Sequence, residues 1–248
     1  MPRIDFNCDL GEGCGDDAAI MPWITSANIA CGAHAGDDAT IRDTLRLCRQ
    51  HGVVAGAHPG YDDRAHFGRR DMELAPHDIA ALIRSQLERI AAIARKEDIA
   101  LRHVKPHGAL YNRSARDPAV AVAIAAAVRE FDPTVVLVGL SGSASTAAGD
   151  DAGLRVAHEV FAERGYGNDA RLLARGTPGA VLDTLDAALA QARMLALHAH
   201  VRSGKGLLLP LRADTLCLHG DREDAAVFAR ALREGLVADG VDILPFAA

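Results

Sequence analysis

Thr134-Val135-Val136-Leu137-Val138-Gly139-Leu140 is a continuous apolar run rich in β-branched residues, with no charge inside it. A strand with one face in water alternates apolar and polar side chains. An unbroken run of this length predicts a strand buried on both faces, as in a parallel sheet covered by helices. Outward from it in both directions, strand-like and helix-like segments alternate to the ends of the chain, the pattern of strands joined by crossover helices. Strands are predicted at 3–8, 26–31, 53–58, 101–106, 134–140, 155–161 and 215–219, with a weaker run at 242–246 as an extra strand.

The segments between carry the helical period. Ile79, Leu82, Ile83, Leu87, Ile90 and Ile93 form one stripe, with Arg84, Glu88, Arg89, Arg95 and Lys96 elsewhere. Pro76 suits a first helical turn with Asp78 near the positive end of the dipole, and Asp117-Pro118 reads as N-cap followed by first helical residue. Gly52 and Gly240 stand where a left-handed closing residue is favoured. A further helix is predicted at 179–201, with His198 and His200 at its negative end. No linker, repeat or composition break interrupts the alternation. The fold class expected is α/β: residues 1–248 as a single irregular TIM-like (β/α) barrel with about seven parallel strands.

Bulk properties narrow the function. The net charge of −6 gives no reason to expect nucleic acid or an anionic membrane, and no apolar stretch approaches a span of roughly 20 residues. No signal peptide is visible, so a cytoplasmic protein is expected. The five cysteines (Cys8, Cys14, Cys31, Cys48 and Cys217) are odd in number and lack C-x-x-C spacing, which argues against a disulfide framework and a zinc knuckle. Cys8, Cys31 and Cys217 lie in strand-like runs and read as small buried fillers.

A chemically capable residue recurs just past nearly every strand-like run: Asn7 and Asp9, His34, His58, Lys105 and His107, Glu159, and His219 with Asp221. In a β/α barrel these ends converge on one rim, where active sites of that fold sit, so the pattern reads as an enzyme. The irregular stretches 10–24, 59–74, 108–116 and 162–178 are then rim loops. Gly165, Gly167, Gly176 and Gly179 make the last a candidate lid.

Each group has a chemistry. Asn7 and Asp9 share a strand face and could bind a cation or orient substrate beside Glu12, whose flanking glycines let backbone approach a ligand. His34 and His58 end consecutive strands and suit proton transfer, and with Asp9 they also suit zinc or another divalent ion. Asp37-Asp38 reads as a helix cap. Lys105 and His107 place a cation beside an acid/base group, able to stabilise an oxyanion or phosphoryl oxygen; His103 is expected to point the opposite way. Glu159 reads as a general base, a ligand or the partner of Arg164. Arg175 suits a substrate carboxylate. His219 faces the rim, with Asp221 as an N-cap or as the orienter of an imidazole. Ser141-Gly142-Ser143 is a weak anion signal at a helix start. Neither a P-loop, a strand-linked G-x-G-x-x-G nor G-x-S-x-G occurs.

Taken together, several ordered strings resemble the LamB/YcsF family, which supplies one component, the A subunit, of the ATP-hydrolysing 5-oxoprolinase. They are Asp5-Phe6-Asn7-Cys8-Asp9-Leu10-Gly11-Glu12, Ala27 to Asp37, Ala57-His58-Pro59-Gly60-Tyr61, Val104 to Asn112, Glu159-Val160-Phe161-Ala162, Pro178-Gly179-Ala180-Val181 and Cys217-Leu218-His219-Gly220-Asp221. The resemblance implies an irregular barrel related to the deacetylase and glycoside hydrolase class. It implies ATP-dependent opening of 5-oxo-L-proline to L-glutamate, with ATP and magnesium in a complex with B and C subunits. Fitted to that reaction, the residue reading above puts Asp9, Glu12, His34, His58, Lys105, His107, Glu159 and His219 in catalysis, and Asn7, Arg164, Arg175 and Asp221 on substrate. Where family members usually carry Asp-Arg-x-Tyr, this chain has Glu163-Arg164-Gly165-Tyr166.

Two rival readings stay open. One is a metal-dependent amide hydrolase of the carbohydrate deacetylase type, using Asp9, His34 and His58. The other is a non-catalytic subunit that presents substrate to partners.

Overall fold

The computed structural model describes residues 1–246. Among them, seven parallel strands close into a ring: β1 (Arg3–Leu10), β2 (Ser26–Ala30), β3 (Val54–His58), β4 (His103–Val104), β5 (Val136–Leu140), β6 (Arg155–Phe161) and, after a small antiparallel hairpin of β7 (His200–Arg202) and β8 (Leu208–Pro210), β9 (Thr215–His219). β9 pairs with β6 on one side and with β1 on the other, Asp5 to Asp9 lying against Thr215 to His219, and this last pairing closes the barrel. β10 (Asp242–Ile243) is the extra strand, pairing with Arg3 and Ile4 outside the ring.

The apolar run at 134–140 behaves as its composition dictates. Leu137 joins the main core under the helices, whereas Val136 and Val138 meet Ala157 in a separate apolar cluster. Both faces of β5 are therefore buried.

Helices cover the ring: α1 (Asp17–Ile20), α2 (Asp38–His51), α3 (Pro76–Lys96), α4 (Gly108–Arg116), α5 (Pro118–Phe131), α6 (Ala144–Asp151), α7 (Leu185–His198) and α8 (Ala225–Ala238). Ile79, Ile83, Leu87 and Ile90 of α3 are fully buried. Each such side chain stabilises the fold by roughly 1.5–3 kcal/mol relative to exposure. Asp37 caps α2 by accepting from the Thr40 N–H, and Asp117 caps α5 by accepting from Ala119. Gly52 closes α2 in the left-handed region at φ 68°.

Three expectations need correction. Residues 108–116, expected as a rim loop, are helix α4, because Leu110, Tyr111, Ser114 and Ala115 form a buried helical face that Pro106 and Gly108 disguise as loop punctuation. The helix expected at 179–201 runs only from Leu185 to His198; Val201 is buried and pairs with Leu209, which turns the chain into the hairpin. β4 is short, although the Arg102 and Lys105 N–H groups still donate to Ala55 and Ala57. Among the described residues no helix is long and apolar enough to cross a membrane.

Candidate active site

The strand ends deliver their polar groups to one mouth of the barrel, around a cleft of about 680 Å³. Its floor is ionic. Lys105, 2% exposed, places Nζ 2.8 Å from Asp9 Oδ1 and 2.8 Å from Glu159 Oε1. Burial works against its charge, but the two carboxylates outweigh it and hold the Lys105 ammonium well above its ordinary pKa. Burial likewise raises Asp9, but His58 and Lys105 hold it well below the usual carboxylate range. Cys217, expected as a filler, also faces this ammonium, with Sγ 3.2 Å from Nζ. Burial pushes its thiol pKa well up, so it meets the lysine as a neutral acceptor.

Beneath the floor runs a second polar layer. Asn28 donates to Asn7 Oδ1 at 2.7 Å and to Asp9 Oδ1 at 2.8 Å. Asn7 donates to Glu159 at 3.1 Å and to Thr215 at 2.6 Å. Asn7, expected against substrate, therefore supports Glu159 from below and does not line the cleft. His103 corrects a direction: it points inward like Lys105 and donates from Nε2 to Asn28 Oδ1 at 2.8 Å. Residues two apart on a strand share a face, so 103, 105 and 107 go together. Burial, with Lys105 nearby, pushes the His103 imidazole down to about 3, so it is neutral.

Beside the lysine stands a histidine cluster. His58 Nε2 is 3.3 Å from Asp9 Oδ2 and 2.9 Å from His107 Nδ1. The turn after β3 that carries His58 is clamped by buried Gln86 of α3, which accepts from the Gly60 N–H and donates to the Gly60 carbonyl. His34 stacks on His107, and Glu12 Oε1 lies 3.5 Å from both His34 Nε2 and His107 Nδ1. Burial, with His58 nearby, pushes His34 down to about 3. Burial, with Asp9 nearby, pushes Glu12 well above the usual range.

Among the described residues three groups could hold a metal: Asp9 with His58 and His107, Glu12 with His34 and His107, and Asp9 with Cys217 and His219. The expected trio of Asp9, His34 and His58 is not one of them. His34 sits four residues beyond the end of β2, in a loop that lays it over His107, and it joins Glu12 instead. Glu12 Oε1 and both His34 nitrogens are buried without a hydrogen-bond partner, a donor set that fits a cation.

The remaining expected residues are placed as follows. His219 lines the cleft, but its orienter is Glu163 rather than Asp221: Glu163 Oε1 lies 2.6 Å from His219 Nδ1 and 3.2 Å from its backbone N. Asp221 is ion-paired with Arg69 at the rim. Arg164 is not the partner of Glu159; it donates to the Ala180 and Leu173 carbonyls and so pins the 162–178 loop. Arg175 lines the cleft from that loop.

Sequence reading missed Glu163, Tyr111 and Arg69 as site residues. Tyr111 places a buried hydroxyl near Glu159, where burial and that carboxylate push its pKa well up. Cys217 was legible by alternation, since it shares a strand face with His219.

The model of the LamB/YcsF family matches residues 4–248. The lactam utilization protein from Thermus thermophilus is similar over 98% of this chain and 100% of its own, at 40% identity and a TM-score of 0.92. A T48 deacetylase shares 14% identity at a TM-score of 0.49, covering 98% of this chain and 88% of its own. A family 4 carbohydrate esterase from Streptomyces lividans shares 10% identity at 0.47, covering 98% and 91%. With every cleft residue inside the matched span, the chain belongs to the LamB/YcsF family.

Proposed function

We propose that this chain is the A subunit of an ATP-dependent 5-oxoprolinase, opening the lactam of 5-oxo-L-proline to L-glutamate together with B and C subunits. Family membership and the 40% identity to a lactam utilization protein support a lactam substrate. The observation that carries the reading is the Lys105 ammonium, buried between Asp9 and Glu159 on the floor of a cleft with imidazoles beside it and guanidiniums at its rim.

A lactam carbonyl is a poor electrophile. Phosphorylating its oxygen with ATP and magnesium makes the ring carbon electrophilic: water adds there, the protonated ring nitrogen leaves to give an acyl phosphate, and a second water hydrolyses that acyl phosphate to glutamate and inorganic phosphate. Lys105 then offers a preorganised cation to the carbonyl or phosphoryl oxygen, and Asp9 and Glu159 keep it charged. His219, which lines the cleft, serves the attacking water and the departing ring nitrogen. Glu163 sets the orientation of His219 on the opposite wall. Arg175 is available for the substrate carboxylate. A divalent cation at the histidine cluster would polarise a carbonyl or activate water.

That cluster favours a second reading, a metal-dependent amide hydrolase of the deacetylase type that needs no ATP. The test is an assay of the purified chain, alone and with candidate B and C subunits, on labelled 5-oxoproline with and without ATP. Release of glutamate only with ATP and partners is expected. Chelator-sensitive amide or acetyl hydrolysis without ATP would establish the second reading. Undiminished turnover by a complex carrying Lys105→Met would leave this chain a presenting component only.

A further inference from the structure

Carbonyl oxygens accept and never donate, and this decides where the hydrogens of two histidines lie. His58 Nδ1 sits 2.7 Å from the Lys105 carbonyl, so Nδ1 carries the hydrogen and Nε2 presents a lone pair. His107 Nε2 sits 2.8 Å from the Phe67 carbonyl, so Nε2 carries the hydrogen and Nδ1 presents a lone pair. Those two lone pairs face each other across 2.9 Å. Those lone pairs repel unless something positive, a proton or a metal ion, is shared between them.

We infer that the shared partner is a single first-row transition-metal dication, held by His58 Nε2, His107 Nδ1 and Asp9 Oδ2, with Glu12 Oε1 as the neighbouring carboxylate ligand. A proton would join the two imidazoles and leave Glu12 Oε1 buried without a partner. A cation with four or more ligands draws in that oxygen, which lies 3.5 Å from His107 Nδ1, and Asp9 Oδ2, which lies 3.3 Å from His58 Nε2. Charge agrees: Asp9 and Glu159 against Lys105 alone leave the floor net negative. One lone pair serves one ion, so the two groups that share His107 Nδ1 cannot both be filled. Half of the set is imidazole nitrogen, which favours ions of the zinc, cobalt or nickel kind over magnesium. It is therefore a different site from that of any magnesium accompanying ATP. The inference deepens the proposed hydrolytic reading and rests on it only for the ion's purpose.

The test is calorimetric titration of the full chain, stripped with chelator, with zinc chloride, cobalt chloride and magnesium chloride. One equivalent of zinc or cobalt is expected, cobalt giving visible bands of mixed nitrogen and oxygen ligation, with no uptake of magnesium at the same concentration. Asp9→Asn, His58→Gln and His107→Gln should each weaken zinc binding at least about tenfold, circular dichroism confirming that each variant is folded. Absence of saturable zinc uptake by the folded wild-type chain overturns the inference, as does uptake undiminished in both histidine variants or magnesium binding as tightly as zinc. These readouts need neither ATP, lactam nor partners. A chain that takes up zinc but fails to open 5-oxoproline keeps the ion site and rejects the substrate; the converse result rejects the ion alone.

Discussion

The imidazoles of His34 and His107 lie parallel, 3.8 Å between ring centres and 1° between planes. Gly68 closes the edge of the stack at φ +63°, where an added Cβ would come within 2.8 Å of His34 Cβ and 3.0 Å of His107 Cδ2. The stack exists because this position has no side chain.

Gly68→Ala meets two penalties, the left-handed backbone and overlap with the stack. We expect the free energy of unfolding to fall by roughly 1–3 kcal/mol, read by urea denaturation, with turnover reduced in the folded fraction. Wild-type stability in this variant would show that the contact yields freely.

Lys105→Met should lower turnover by about a hundredfold or more, the cost of removing one preorganised charge donor. Because Asp9 and Glu159 would then stand buried without their cation, a stability loss of about 3–5 kcal/mol is expected as well. Activity per folded molecule, from circular dichroism and steady-state rates on one preparation, separates the two effects.

Glu163→Gln should reduce kcat about 10- to 100-fold with little change in KM, since Glu163 orients His219 and does not line the cleft. Burial raises this carboxyl, but hydrogen bonds from His219 and Arg222 outweigh it and hold it below its ordinary value of 4.5. A depressed acid contributes stability that is present above the unfolded value and lost as pH falls through the folded one. Denaturation from pH 6 down to 3 should therefore show wild type losing an advantage over the variant. A constant offset would contradict this.

Asp5 carries the opposite sign. Burial pushes its carboxyl up to about 6 from 3.8, despite hydrogen bonds from Ser26, Thr215 and Thr25. The folded state holds this proton more tightly than the unfolded chain, so the group's contribution to stability falls as pH rises from about 4 to 6. The difference amounts to roughly 3 kcal/mol at neutral pH. Asp5→Asn should gain on wild type by about that amount between pH 4 and 7 in denaturant titrations; no pH-dependent gain would place the titration elsewhere.

Much of the architecture was legible because it is written locally. The unbroken apolar run around Val138, the stripe from Ile79 to Ile93 and the caps at Asp37 and Asp117 each depend on neighbours within a few positions. The short strand β4 and helix α4 were harder to read, since Pro106 and Gly108 look like loop residues and the partners that bury Tyr111 come from elsewhere in the chain. His103 was misjudged against the simple alternation that Lys105 obeys.

The linear chain alone settled that strands and helices alternate, that about seven strands are parallel, and that Asp9, His58, Lys105, His107 and His219 stand at their ends. Only the closed barrel decided which group meets which: Glu163 with His219, Lys105 with both Asp9 and Glu159, His34 with Glu12 rather than Asp9. Periodicity reports a residue's own face, and it survives in the order of residues. A contact across the ring depends on the registers of every intervening strand pair and on the loops above them, and no short stretch of chain records that sum.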